Sequence, residues 1–183
     1  MRARHRLVVT GAQGSGKSTL ARRLRDAYSG AGMDCVLLEC IGQRIAGLGL
    51  PLGLHATAET FCAFAAEHLR RERVCDTTGT VVQDRCLLDL LAYCRALRAG
   101  KHLQAFVAEA ARVSLSGAVI LLTGLEEGLP PSTSTVETTE FRLMIESEIK
   151  SAAAELSVEL TLLKGNLDAR IRQALALLPA TSS

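Results

Sequence analysis

Leu7-Val8-Val9-Thr10-Gly11-Ala12-Gln13-Gly14-Ser15-Gly16-Lys17-Ser18-Thr19-Leu20 decides how the rest of the chain is read. Leu7 to Thr10 is a short apolar and β-branched run, the composition of a buried strand. Glycines at 11, 14 and 16 break it at once. Apolar residues then recur at helical spacing through Leu20, Leu24 and Ala27, which predicts a helix from Ser18 to about Ser29. Between strand and helix the sequence matches G-x-x-x-x-G-K-[ST] at every fixed position: Gly11, Gly16, Lys17 and Ser18. Glycines let the backbone wrap so that successive N–H groups aim at phosphate oxygens, and the helix N-terminus adds its dipole. Gly11, Ala12, Gln13, Gly14, Ser15, Gly16, Lys17, Ser18 and Thr19 are therefore the expected nucleotide-binding residues. Lys17 is expected against the β- and γ-phosphates, and the Ser18 hydroxyl on Mg²⁺.

The pattern continues outward from this loop as alternating strand and helix. Short apolar runs at 35–38, 80–83, 118–123 and 158–163 read as strands. Helical spacing marks 58–74, 87–97, 103–113, 140–156 and 167–178. Nearly all-apolar strands separated by helices imply a parallel sheet covered on both faces, with ligand chemistry at the carboxyl ends of its strands. The expected fold is a three-layer α/β phosphate-loop NTPase with about five parallel strands, one domain over residues 1–183. Two stretches fit poorly. Residues 41–55 hold five glycines and prolines and read as a loop over the site; 124–139, with Pro130, Pro131 and a Ser/Thr run, reads as a lid or mobile surface loop. Residues 179–183 read as a flexible tail.

Composition narrows the partners. The 183 residues carry 21 Lys and Arg against 19 Asp and Glu, so no global field favours a polyanion. Four Phe, two Tyr and no Trp leave little to stack a row of bases on, and nucleic acid is not expected as a partner. No apolar run reaches the ~18–20 residues of a membrane helix, and the patch after the basic start is too short for a signal-peptide core. A cytoplasmic protein is expected, away from membranes, and a homodimer stays open. The six cysteines form no C-x-x-C pair and read as buried free thiols.

A GTPase would need N-K-x-D, which is absent, and transporter or helicase modules need a longer chain. What remains is a compact kinase. Glu39 and Arg44 after the second strand, with Asp84-Arg85-x-x-x-Asp89-x-x-x-Tyr93 after the third, resemble the phosphate-loop kinase-like ATPases typified by bacterial ribosylnicotinamide kinase domains. More distantly the arrangement is similar to deoxynucleoside kinases. The resemblance implies a division of labour. Glu39 would accept the proton of an attacking hydroxyl, Asp84 would hold Mg²⁺ beside Ser18, and Arg85 would steady the transferring phosphate. Asp89 and Tyr93, four apart on one helical face, would line the acceptor pocket.

Kinases of this shape close an arginine-bearing lid after the fourth strand, which excludes water from the reacting phosphate. Residues 125–139 contain three acids and no base, and the helix that follows, 140–156, has only Arg142 and Lys150, so Arg142 is the expected lid arginine. Arg70 or Arg71, in the charged helix face 67–73, could reach a substrate phosphate, and Lys164-Gly165-Asn166 is placed to hold adenine. The expected cofactors are ATP and Mg²⁺, and the expected catalytic set is Lys17, Glu39, Asp84, Arg85 and Arg142, acting on a small-molecule acceptor with a nucleoside-like body. A second reading stays open, a phosphate-loop ATPase that switches a protein partner. Glu39 facing Lys17 across a closed cavity would mark the kinase; an exposed nucleotide edge beside an apolar patch would mark the switch.

Overall fold

A computed structural model describes residues 5–75, 79–125 and 137–177. The sequence folds as β1 (His5–Thr10), α1 (Lys17–Gly30), β2 (Cys35–Leu38), α2 (Gly42–Ala46), α3 (Ala58–Val74), β3 (Thr80–Asp84), α4 (Leu87–Ala96), α5 (Lys101–Ser114), β4 (Val119–Thr123), α6 (Thr139–Glu155), β5 (Leu160–Leu163) and α7 (Leu167–Leu175). All five strands are parallel, in the order β2-β3-β1-β4-β5. The α/β phosphate-loop fold expected from the sequence is the one observed.

Alternation along the central strand builds the three layers. Leu7 and Val9 face a core with Leu20 and Leu24 of α1 and Ala174 of α7. Val8, on the opposite face, meets Phe61 of α3, Leu87 and Leu91 of α4 and Val107 of α5. The hydroxyl of Thr57 starts α3 by accepting from the Thr60 N–H at 3.4 Å, and Thr60 Oγ1 returns the bond to the Thr57 N–H at 3.2 Å.

The register fixes the site. Val9 of β1 pairs with Asp84 of β3, and the Arg85 N–H donates to the Val9 carbonyl at 2.9 Å. The glycine-rich loop after Thr10 and the Asp84-Arg85 pair thus leave the sheet side by side. β2 is an edge strand, and of its four residues only Leu38 is buried.

Two expectations change, and a third is not covered. Residues 41–55 are not a plain loop: they contain α2 and a single 3₁₀ turn, Gly53–His55, which Leu52 and Ala56 continue into a wall. The cysteines are free, but only Cys86 and Cys94 are buried, while Cys40 and Cys62 are exposed. The proposed lid, 124–139, lies largely outside the described residues, as does the tail 179–183; Glu137 at its far end is described and is 7 % exposed. Among the described residues no helix is long and apolar enough to cross a membrane.

Candidate functional site

The loop between β1 and α1 holds its shape by close approach. Gly11 has φ +146°, and a Cβ there would sit 2.6 Å from the Thr123 carbonyl oxygen at the end of β4, so only glycine fits. Thr123 Oγ1 donates to the Thr10 carbonyl at 3.1 Å and lies 2.7 Å from Ser15 Oγ, which ties the loop to two strands. Gly16, at φ +88°, precedes α1 with no side-chain cap. The N–H groups of this first turn are left for a ligand, the physical basis of anion binding at a helix N-terminus.

Lys17 opens α1 and is 4 % exposed. Its ammonium donates to the Ala12 carbonyl at 2.5 Å. Burial pushes its pKa down to about 7, Arg85 pushes the same way, and Asp89 and Asp84 oppose them. A desolvated ammonium close to its own titration is poised to take up an anion.

Asp84 ends β3 with 4 % exposure, and its Oδ1 is buried without a hydrogen-bond partner. Asp89, one turn into α4, is by contrast fully engaged. It accepts from Thr10 Oγ1 at 3.0 Å, from the Cys86 N–H at 2.9 Å and from the Gly11 N–H at 3.4 Å, and it lies 3.7 Å from Arg85. One carboxylate therefore joins the glycine-rich loop to the start of α4. Arg85 sits at φ +69°, a left-handed conformation rare for a side chain of its size, directly between Asp84 and α4.

Gln13, Arg85 and Asp89 open onto a cavity of about 720 Å³. One wall is apolar, made by Leu52 and Leu54 around the 3₁₀ turn, Phe61 and Phe64 of α3, and Leu90 of α4. Tyr93 and Glu137 form a polar corner: the Tyr93 hydroxyl donates to both Glu137 oxygens, at 2.7 and 2.9 Å. Phe141 steadies the Tyr93 ring edge-on, with ring centroids 6.0 Å apart. A volume of this size suits a small metabolite, and an apolar wall with a few convergent polar groups is the usual form of such sites.

His68 lines the same cavity from α3 and is 5 % exposed. Burial pushes its imidazole down to about 4, so it is neutral at physiological pH; Arg71 and Arg85 add to the effect, and Glu72 and Asp89 oppose it. Because the folded value lies below the unfolded one, the folded state binds fewer protons, and stability falls as pH drops from about 6.5 to about 4. The loss attributable to this residue is expected to reach about 3 kcal/mol at the acid end. Denaturant titrations of wild type and His68→Gln from pH 7 to 4 test it. The difference between the two stabilities should shrink or reverse with acid, and parallel curves would remove His68 from the acid limb.

Several expected residues do not come together. Glu39 does not line the cavity. It is exposed, its carboxylate forms a solvent-exposed ion pair with Arg22 at 3.6 Å, and its backbone carbonyl accepts from Arg71. The reason is topological: β2 is the edge strand, so its carboxyl end opens to water while its neighbour Cys40 turns to the cavity. Arg44 and Arg70 both pair with Glu67, and Lys150 pairs with Glu146. Asn166 caps α7 by accepting from the Ala169 N–H at 3.0 Å. Arg142, expected in a lid, is 4 % exposed on α6 and donates from Nε to the Gln13 carbonyl at 2.7 Å.

The residues missed in sequence are Thr123, Glu137 and Arg170. Arg170 donates to the Ser15 carbonyl at 3.0 Å from α7. Its signal was a lone arginine on the apolar stripe formed with Leu167 and Ala174. Thr123 and Glu137 carried no comparable pattern.

The comparisons agree with this fold. Residues 6–170 match the family model described as "AAA domain". Thymidylate kinase from Ehrlichia chaffeensis is 14 % identical, with a TM-score of 0.67 over 96 % of this chain and 99 % of that one. NadR protein, solved in complex with NR, is 17 % identical, with a TM-score of 0.68 over 94 % of this chain. NadR protein in complex with NAD and AMP-PNP is also 17 % identical, with a TM-score of 0.68 over 98 % of this chain. The chain spans about half of the NadR chains, 49 % and 51 %. At these identities the likeness is one of fold, that of phosphate-loop kinases. No curated protein matches the sequence.

Proposed function

The chain belongs to the AAA domain family, and from that premise we propose that it is an ATP- and Mg²⁺-dependent kinase phosphorylating a hydroxyl of a small, nucleoside-like metabolite. One observation carries the reading. Gln13 of the phosphate loop and Arg85 and Asp89 beyond β3 open onto the same cavity, so an acceptor seated there meets the terminal phosphate of a nucleotide held on the loop.

Backbone N–H groups of the glycine-rich loop and of the first turn of α1 hold the phosphates, those of Gly14 and Gly16 among them, and Lys17 neutralises the β- and γ-oxygens. The residues present fit Mg²⁺: it takes hard oxygen donors, and Asp84 offers a buried carboxylate oxygen without a hydrogen-bond partner, with the Ser18 hydroxyl of the first turn of α1 as the second donor proposed. Among the described residues no group of three or more His, Cys, Asp or Glu side chains gathers to hold a metal. When bound, Mg²⁺ supplies charge neutralisation on the phosphate oxygens. Arg85, held by Asp89, is placed to steady the transferring phosphoryl charge. The apolar wall keeps water from competing for it. Phosphoryl transfer through a loose transition state asks mainly for positioning and electrostatics, and the buried charges around the cavity support that reading. Glu39 does not face Lys17 across the cavity, so that expected mark of a kinase is not met, and the reading rests on Gln13, Arg85 and Asp89 instead.

Mg-ATP turnover, read as ADP release with and without a panel of nucleosides, tests the proposal. Release that rises with one acceptor, with its phosphorylated form seen by mass spectrometry, supports a kinase. Slow release indifferent to every nucleoside would turn the reading toward an ATPase that switches a protein partner.

A further inference from the structure

The nucleotide-binding loop must present its peptide N–H groups in one direction, yet glycines at 14 and 16, with φ of +75° and +88°, have no side chains to hold them. The structure holds them from behind. In a trans peptide the carbonyl of one residue and the N–H of the next point opposite ways in the same plane. Arg142 Nε, on α6, takes the Gln13 carbonyl at 2.7 Å. Arg170 Nη1, on α7, takes the Ser15 carbonyl at 3.0 Å, and its Nη2 reaches the Gly124 carbonyl at 3.4 Å. The N–H groups on the far side of those two peptides belong to Gly14 and Gly16.

We propose that Arg142 and Arg170 are positioning residues that lock alternate peptides of the phosphate loop, so that the Gly14 and Gly16 N–H groups face the phosphates before a nucleotide arrives. The inference rests on the nucleotide-binding reading of that loop. Three further facts support it. Both arginines are buried, at 4 % and 6 % exposure, so their hydrogen bonds face little competition from water. They come from 129 and 155 residues away, which makes the loop's geometry depend on helices packed on the finished sheet. And the remaining cation of the loop, Lys17, holds the Ala12 carbonyl on a flexible stem that can swing to a phosphate, whereas the forked guanidiniums bond in fixed directions. The lock spares the ligand the work of ordering two glycine peptides on binding.

The test measures ATP, ADP and inorganic tripolyphosphate affinity by calorimetry on the full chain, for wild type, Arg142→Met and Arg170→Met, with unliganded melting as the check of folding. Each variant is expected to lose about tenfold to a hundredfold in affinity. The loss should be equal for ATP and tripolyphosphate, because it lies at the phosphates. Arg142→Lys and Arg170→Lys keep the charge without the fork; they are expected to fold even if a methionine variant does not, and to recover only part of the affinity. Wild-type affinity in all variants would sink the lock alone, and so would an ATP loss that spares tripolyphosphate. A folded wild type that takes up neither ADP nor tripolyphosphate would sink the nucleotide reading and the lock with it.

Discussion

Lys17→Ala is expected to lower Mg-ATP turnover by about 10²–10³-fold while leaving the unfolding midpoint within ~2–4 °C of wild type. The two halves of that expectation have one cause. In the folded chain the ammonium is 4 % exposed and its only hydrogen-bond acceptor among the described residues is the Ala12 carbonyl. Burial has pushed its pKa down to about 7, which says that the charged form is held at a cost to the unliganded fold. A nucleotide's phosphates remove that cost by supplying the missing opposite charge. Truncating the side chain therefore takes little from stability and much from the bound state. ADP release and thermal unfolding, each with and without Mg-ATP, measure both halves. Turnover within threefold of wild type would mean that phosphates do not sit against Lys17.

Asp89→Ala has the largest expected effect on stability, about 2–4 kcal/mol, or a midpoint lower by ~5–15 °C. The carboxylate is 3 % exposed and serves Thr10, Gly11, Cys86 and Arg85 at once. Its removal leaves three buried donors, the Thr10 hydroxyl and the Gly11 and Cys86 N–H groups, unsatisfied and the Arg85 guanidinium, 22 % exposed, without its counter-charge. That remaining exposure is why the expected loss lies below the range for a fully buried pair. Asp89→Asn, which can still accept from the Cys86 N–H, should lose about half as much. Chemical denaturation settles it, and a loss under about 1 kcal/mol in the alanine variant would show that water replaces the carboxylate in holding the loop.

The parts of this protein that could be read in its sequence are those written by local patterns. Strand, glycine-rich loop and helix at 7–29 lie within a few turns of one another, and each glycine answers a backbone need that no side chain can meet. The strands at 35–38 and 119–123 and the helix at 58–74 follow from period and cap alone, and they appear within two residues of where the pattern puts them. Asp84 was likewise visible, because an acid closing an apolar strand needs a partner or a ligand, whereas Arg85 and Asp89 entered through the family resemblance.

What the sequence could not rank was distance. Glu39 and Asp84 are both acids at strand ends, but one strand is an edge and the other lies inside the sheet, so one carboxylate stands in water and the other is buried beside the phosphate loop. Arg142 was expected in a lid and Arg170 was not singled out at all; packing of α6 and α7 on the finished sheet turns both onto loop carbonyls. By itself, then, the sequence determined the fold class and the phosphate loop, because those depend on neighbours along the chain. The tertiary structure alone decided which charges are desolvated and meet, because strand order and helix packing set the dielectric and the distance on which electrostatics depends.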